Sequence, residues 1–204
     1  MKLFFRICLF GSILLPCLLM AQTPADYKKA LDKHRKDFEQ ANTVQEKEKH
    51  LKKMASFLEG QPIITISDYI REQLNITYKQ ITSNKRLASL LPLSTFMMGK
   101  AHSLEAKGID FFYQALEFAK QYDNKEIIFE TTYYIVNELF MQSKPQEALF
   151  YYHAMEQYMD SPEMQKHIES LPHGFLPNLY CVIAQIYLVV PYELCLPNNI
   201  LFLA

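Results

Sequence analysis

The chain has 204 residues, half of them hydrophobic, with 21 Lys and Arg against 22 Asp and Glu and a formal net charge of -1 at neutral pH. A near-neutral balance of interleaved signs excludes long-range capture of nucleic acid, while 13 Tyr and 14 Phe supply the apolar surface for one continuous core. Four cysteines in this length exclude a disulfide framework as the basis of the fold.

Residues 1–21 read as a secretory signal peptide. Lys2 and Arg6 precede an apolar run from Ile7 to Met20, and Ala21 stands before the polar Gln22-Thr23-Pro24. The run falls short of the ~20 apolar residues of a bilayer-spanning helix, and Pro16 interrupts it. An uncleaved membrane anchor is the competing reading, because bulky Leu19 lies three residues before the proposed cut. Cys17 raises lipid attachment, to which Pro16 is poorly suited. The protein is therefore expected to be exported, to the periplasm or cell envelope, and cleavage would leave Cys181 and Cys195 as the remaining thiols. A bond between them is stereochemically open, although the position of Cys181 on an apolar stripe argues for packing.

Beyond the leader the apolar spacing is helical throughout. Tyr27, Leu31 and Phe38 share one side of a helix over 25–41. Thr43-Val44-Gln45-Glu46 has the form of a capping box and opens a second helix carrying Leu51, Met54, Phe57 and Leu58, which Gly60 and Pro62 end. Ile63-Ile64-Thr65-Ile66 fits a short strand or a linker ahead of a third helix with Tyr69, Ile70, Leu74 and Ile81; for want of a partner strand, helix or linker is preferred. Further helices are predicted over 87–103, with Pro92 in the first turns or at a break, over 109–121, 125–142 and 145–159, and in a short piece from Ser161-Pro162 to Ser170. Asn124 caps the helix from Lys125. The stretch from Leu171 to Pro177 is predicted as a loop, with Asn178 capping a last helix to Val190. Short connections make neighbours antiparallel. This divides the chain into a leader (1–21), N-terminal helices (22–86), paired helices (87–190) and an irregular tail (191–204).

Two strings within the paired region nearly repeat at a spacing of 39: Phe111-Phe112-Tyr113-Gln114-Ala115-Leu116-Glu117 and Phe150-Tyr151-Tyr152-His153-Ala154-Met155-Glu156. Aligned as helix pairs, Gly108, Phe112 and Ala115 of one unit match Ala148, Tyr152 and Met155 of the next, with Met155 departing from the small residue at that point. Among the first helices of the pairs, Val136 and Leu139 match Ala184 and Tyr187, the polar Asn137 and Gln185 match as well, and Phe96 to Lys100 is the weaker counterpart in the earlier unit. On these residues the chain resembles the tetratricopeptide repeat (TPR) family, although the spacing exceeds the family's 34-residue repeat. The resemblance implies an all-α fold, an α-solenoid of antiparallel helix pairs in a TPR-like right-handed superhelix, with the first helix of each pair lining a concave face. Lys100, Tyr133, Asn137 and Gln185 then become the candidate residues for binding a protein or peptide.

Chemistry-bearing patterns are sparse. The six histidines, His34, His50, His102, His153, His167 and His173, include no pair at the i, i+4 spacing of a helical zinc site, and Glu163 with His167 has no third ligand nearby in sequence. No phosphate-binding loop, nucleophile elbow or Cys-His signature occurs. No catalytic residue, metal or cofactor is expected. The Asn75-Ile76-Thr77 sequon matters only in a host that glycosylates exported proteins. The reading is an exported TPR-like interaction domain with a protein or peptide partner and no nucleic acid, similar to the sensing part of bacterial membrane regulators. Membrane contact would come only through an uncleaved leader or a region beyond the tail, whose two prolines and apolar end suggest an interrupted longer protein. The alternatives are an exported all-helical enzyme and a structural adaptor of an envelope assembly.

Overall fold

Short polar side chains decide where the helices begin. In the computed structural model, which describes residues 24–58, 68–103, 105–172 and 174–190, Thr43 Oγ1 accepts the Glu46 amide at 3.2 Å and the Glu46 carboxylate accepts the Thr43 amide at 3.2 Å. That is the capping box read from the sequence. Asn124 and Ser161 cap in the same manner, accepting the amides of Ile127 and Met164. Among the described residues there are nine α-helices: α1 (Pro24–Gln40), α2 (Val44–Ser56), α3 (Asp68–Ser83), α4 (Leu91–Ala101), α5 (Ala106–Gln121), α6 (Lys125–Met141), α7 (Pro145–Met159), α8 (Pro162–Ser170) and α9 (Phe175–Val189). The predicted helix from 87 divides in two, a 3-10 turn over Lys85–Leu90 followed by α4, because Pro92 has no amide to donate and suits a fresh first turn. The leader, the strand-or-linker segment 63–66 and the tail 191–204 lie outside the described residues.

The turns after α5 and α6 are built alike. Asp123 (φ 49°) and Ser143 (φ 60°) both take the left-handed conformation that ends a helix. Asn124 N–H donates to Ala119 O at 2.8 Å and Asp123 N–H to Lys120 O at 3.2 Å; Lys144 N–H donates to Leu139 O at 2.9 Å and Ser143 N–H to Phe140 O at 3.0 Å. Both are Schellman motifs, and neither uses the glycine that conformation favours. Asp123→Gly and Ser143→Gly are each expected to raise the unfolding free energy by about 0.5–1 kcal/mol. Urea denaturation monitored by circular dichroism checks this, and a lower midpoint in both variants would contradict it.

Packing follows chain order. The main contacts are α1 on α2, α3 on α4, α4 on α5, α5 on α6 and α6 on α7, with weaker next-but-one contacts such as α4 with α6; α9 rests on α6 and α7. Pro92 through Ala101 are all buried in α4, and α6 buries most of its circumference, from Ile127 and Phe129 to Ile135, Glu138 and Leu139, with Glu130, Tyr134 and Asn137 half-buried along its remaining face. Helices buried on most of their sides belong inside, and these two form the centre. By contrast α5 and α7 bury one stripe each. In α5 it is Gly108, Ile109, Phe112, Ala115, Leu116 and Ala119; in α7 it is Ala148, Leu149, Tyr152 and Met155.

Those stripes determine the repeat register. At an offset of 40, Gly108, Ile109, Phe112 and Ala115 coincide with Ala148, Leu149, Tyr152 and Met155, buried with buried. At 39, the offset of the visible string, fully buried Phe112 and Ala115 would match half-buried Tyr151 and Ala154. The string similarity is thus one residue out of step with the packing. The same slip affects the first helices: Val136 and Leu139 are buried, while Ala184 and Tyr187 are exposed. Moving the match by one residue pairs Val136 with Ile183 and Leu139 with Ile186, buried with buried.

The start of α9 corrects the sequence reading. Phe175, Leu176 and Pro177 form its first turn, so the predicted loop ends earlier and Gly174 takes the cap position in place of Asn178. Cys181 is exposed on α9 and not on its apolar stripe, and Cys195 lies outside the described residues.

Candidate functional site

The aromatic side of α6 organises the region that holds most of the sequence-predicted binding residues. Tyr133 is 6 % exposed and its ring lies 4.0 Å from that of Phe175, centroid to centroid. Its hydroxyl accepts a 2.6 Å hydrogen bond from Asn178 Nδ2. Phe129 touches the same Phe175 ring at 5.8 Å. Tyr133 therefore anchors α9 to α6. One turn on, Asn137 Nδ2 donates to the Tyr133 carbonyl at 3.0 Å, which occupies its amide group within its own helix.

Lys100 is 8 % exposed at the end of α4. Its ammonium lies 5.5 Å from the ring centres of both Phe96 and Tyr134, within reach of the attraction between a cation and an aromatic face. Nearby in sequence, the Ser103 hydroxyl donates to buried Glu138 at 2.6 Å. Tyr134 touches Tyr133 edge-on at 5.2 Å, so Lys100, Tyr133 and Asn137 belong to one polar-aromatic interior that joins α4, α6 and α9. Gln185 differs, being exposed on α9. It shares that helix with Tyr180, Tyr187 and Leu188, exposed by 51 %, 43 % and 84 %.

Each described histidine has an acidic neighbour. His167 Nε2 lies 3.1 Å from Glu130 and its Nδ1 3.9 Å from Glu126, so α6 brings two carboxylates to it. His153 Nδ1 lies 2.7 Å from Glu156. His102 stacks on Phe111 at 5.8 Å and lies 3.1 Å from Glu105, which also holds Lys107 and Arg71 at 3.1 Å. Burial, and after it the Lys107 ammonium, hold the His102 imidazole below its ordinary value of 6.5, while Glu105 opposes them. The native protein thus keeps His102 neutral where the unfolded chain takes up a proton. Its contribution to stability is complete above about 6.5 and is lost as pH falls through the native value. A proton NMR titration should place the His102 midpoint below 6.5, and His102→Gln should show a smaller drop in melting temperature between pH 7 and 5. A midpoint at or above 6.5 would sink this assignment.

The sequence reading missed one grouping. His34 and Asp37 on α1 meet His50 on α2, with the His34 Nδ1 4.0 Å and the His50 Nδ1 3.7 Å from Asp37 Oδ2. Burial first, then Lys53, lowers the His34 pKa, so its imidazole is neutral at neutral pH. The two histidines are equidistant from the turn at Asn42, as facing positions of an antiparallel hairpin must be. That symmetry is the signal that a search for i, i+4 pairs does not use.

A cleft of about 460 Å³ opens between the α5–α6 turn and the start of α8, edged by Asp123, Lys125, Glu126 and Glu163. The sequon threonine, Thr77, is 1 % exposed within α3 and donates to Gln73 O at 3.1 Å. Among the described residues no helix is long and apolar enough to cross a membrane.

Taken together, the described residues define an all-α protein whose helices pack mainly against their neighbours in sequence. No family model, no curated protein and no solved structure matches the chain.

Proposed function

We propose that this protein is an exported helical-repeat module of the TPR-like kind, an α-solenoid that binds a protein or peptide partner. The observation that carries this reading is the recurrence of buried positions at an offset of 40 between α5 and α7, in a chain whose helices pack in sequence order. A fold made of such units presents long helical faces, which is how stacked repeats recognise extended partners. The outer side of α9 is the surface we assign to binding: Gln185 offers an amide for hydrogen bonding beside the exposed rings of Tyr180 and Tyr187 and the exposed Leu188. Export rests on the leader over 1–21.

A photoreactive amino acid at position 185 tests the binding role, with one at Lys120 on the exposed side of α5 as control. A discrete adduct from 185 that is absent from the control, and that fades when Tyr180 and Leu188 become serine, is the expected result. Identical adducts from both positions, or none from 185, would overturn it. Amino-terminal sequencing of protein recovered from the envelope should begin at Gln22; recovery of the intact leader from the cytoplasm would refute export.

A further inference from the structure

We propose that His34, Asp37 and His50 form a binding site for a divalent cation of the zinc class, a role independent of partner binding on α9. His34 and Asp37 stand one helical turn apart on the same side of α1, and α2 brings His50 against them. One ligand atom from each residue lies within 4.8 Å of the other two, and the Nδ1 nitrogens of His34 and His50 stand 4.0 Å and 3.7 Å from Asp37 Oδ2. Both nitrogens are buried atoms without a hydrogen-bond partner. Ring nitrogens shut away from water in this manner are costly, and one bound cation would satisfy both.

The donor set selects the ion. Two imidazoles and one carboxylate suit zinc or its neighbours cobalt and nickel; calcium and magnesium prefer all-oxygen shells, and copper(I) prefers sulfur. Zinc bonds of about 2.0–2.1 Å place neighbouring ligands roughly 3.4 Å apart, so pairs now up to 4.8 Å apart must close in by about 1.4 Å at most. The rings are held for this by packing, His34 lying 5.8 Å from Phe57 and 6.0 Å from His50. All three residues are half-buried, which leaves an approach for the ion and a fourth position for water or an outside ligand. Lys53, which acts on His34, works against a second positive charge, and the carboxylate of Asp37 offsets it. A closed site would pin α1 to α2 across the turn at Asn42.

Tag-free protein should take up about one zinc ion per chain in a titration against a chromophoric chelator, and its melting temperature should rise with zinc concentration. His34→Ala, His50→Ala and Asp37→Asn should each weaken uptake about tenfold or more, whereas His167→Ala, beside the carboxylates of Glu126 and Glu130, should leave it unchanged. Should the alanine variants fail to fold, the unaltered protein decides the matter: the nitrogen-15 resonances of the His34 and His50 Nδ1 atoms must shift on adding zinc. No uptake, uptake undiminished in the folded variants, or shifts confined to other histidines would overturn the proposal.

Discussion

Alanine at Gly108 is expected to destabilise the protein by about 3 kcal/mol, and alanine at Gly99 by about 1–3 kcal/mol. A β-carbon at Gly108 would sit 2.4 Å from the His102 carbonyl oxygen and 2.9 Å from its carbon. Both atoms are backbone at the end of α4, so relief requires α5 to move as a unit. At Gly99 the new carbon meets the Phe112 ring at 2.5 Å. That ring is fully buried, stacked on Tyr134 at 5.1 Å and bounded by Phe96 at 6.0 Å, so it has little room to turn. The two cases separate in a double-mutant cycle. Phe112→Leu should absorb about 1 kcal/mol or more of the Gly99→Ala cost, because it removes the atoms in conflict, and no side-chain change should rescue Gly108→Ala. Additive losses in the Gly99→Ala, Phe112→Leu double variant, measured by urea unfolding, would show that this contact is misplaced.

Tyr133→Ala should cost about 3–5 kcal/mol, whereas Tyr133→Phe should cost about 1 kcal/mol. The first removes the ring that Phe175 packs against and the second only the hydroxyl that accepts from Asn178. Amide exchange supplies a sharper reading than global stability. In the alanine variant α9 should lose protection ahead of α4 and α5, because Tyr133 joins α9 to α6. Uniform loss of protection along the chain would count against an anchoring role. The pair also bears on recognition, since a Tyr133 that contacted a partner directly would change affinity in the phenylalanine variant at unchanged α9 protection.

The helical class and most helix limits were readable in the sequence because their causes are local. Thr43 with Glu46, Asn124, Ser161 and Pro145 act within a few residues of themselves. What resisted reading depends on distant partners. Pro177 and Asn178 look like a loop and a cap when judged by their neighbours, yet proline suits a first helical turn and Asn178 finds its partner in Tyr133. The register of the first helices slipped for a related reason. The match of Phe112 to Tyr152 holds in the packing, but α9 is apolar along most of its length, and only burial shows that Ile183 and Ile186, and not Ala184 and Tyr187, take the places of Val136 and Leu139. Lys100, Tyr133 and Asn137 were singled out as polar groups on first helices, but Lys100 and Tyr133 are buried where α4 and α6 are covered by their neighbours, and half-buried Asn137 donates to its own helix. The grouping of His34 with His50 and Asp37 was missed because the two histidines lie on different helices.

The order in which the helices pack also governs how the protein comes to be folded. Since each helix from α3 to α7 finds its chief partner in the adjacent segment of chain, little loop-closure entropy stands between the unfolded chain and its native contacts. Such topologies fold on microsecond to millisecond timescales, and any hairpin can serve as the nucleus from which the next helix is laid down. The α4–α5 pair, with the most extensive contact and with Gly99 and Gly108 drawing its backbones together, is the strongest candidate for that first step. Slow folding after Gly108→Ala would then reflect a delayed nucleus, and the helices on either side would wait on it.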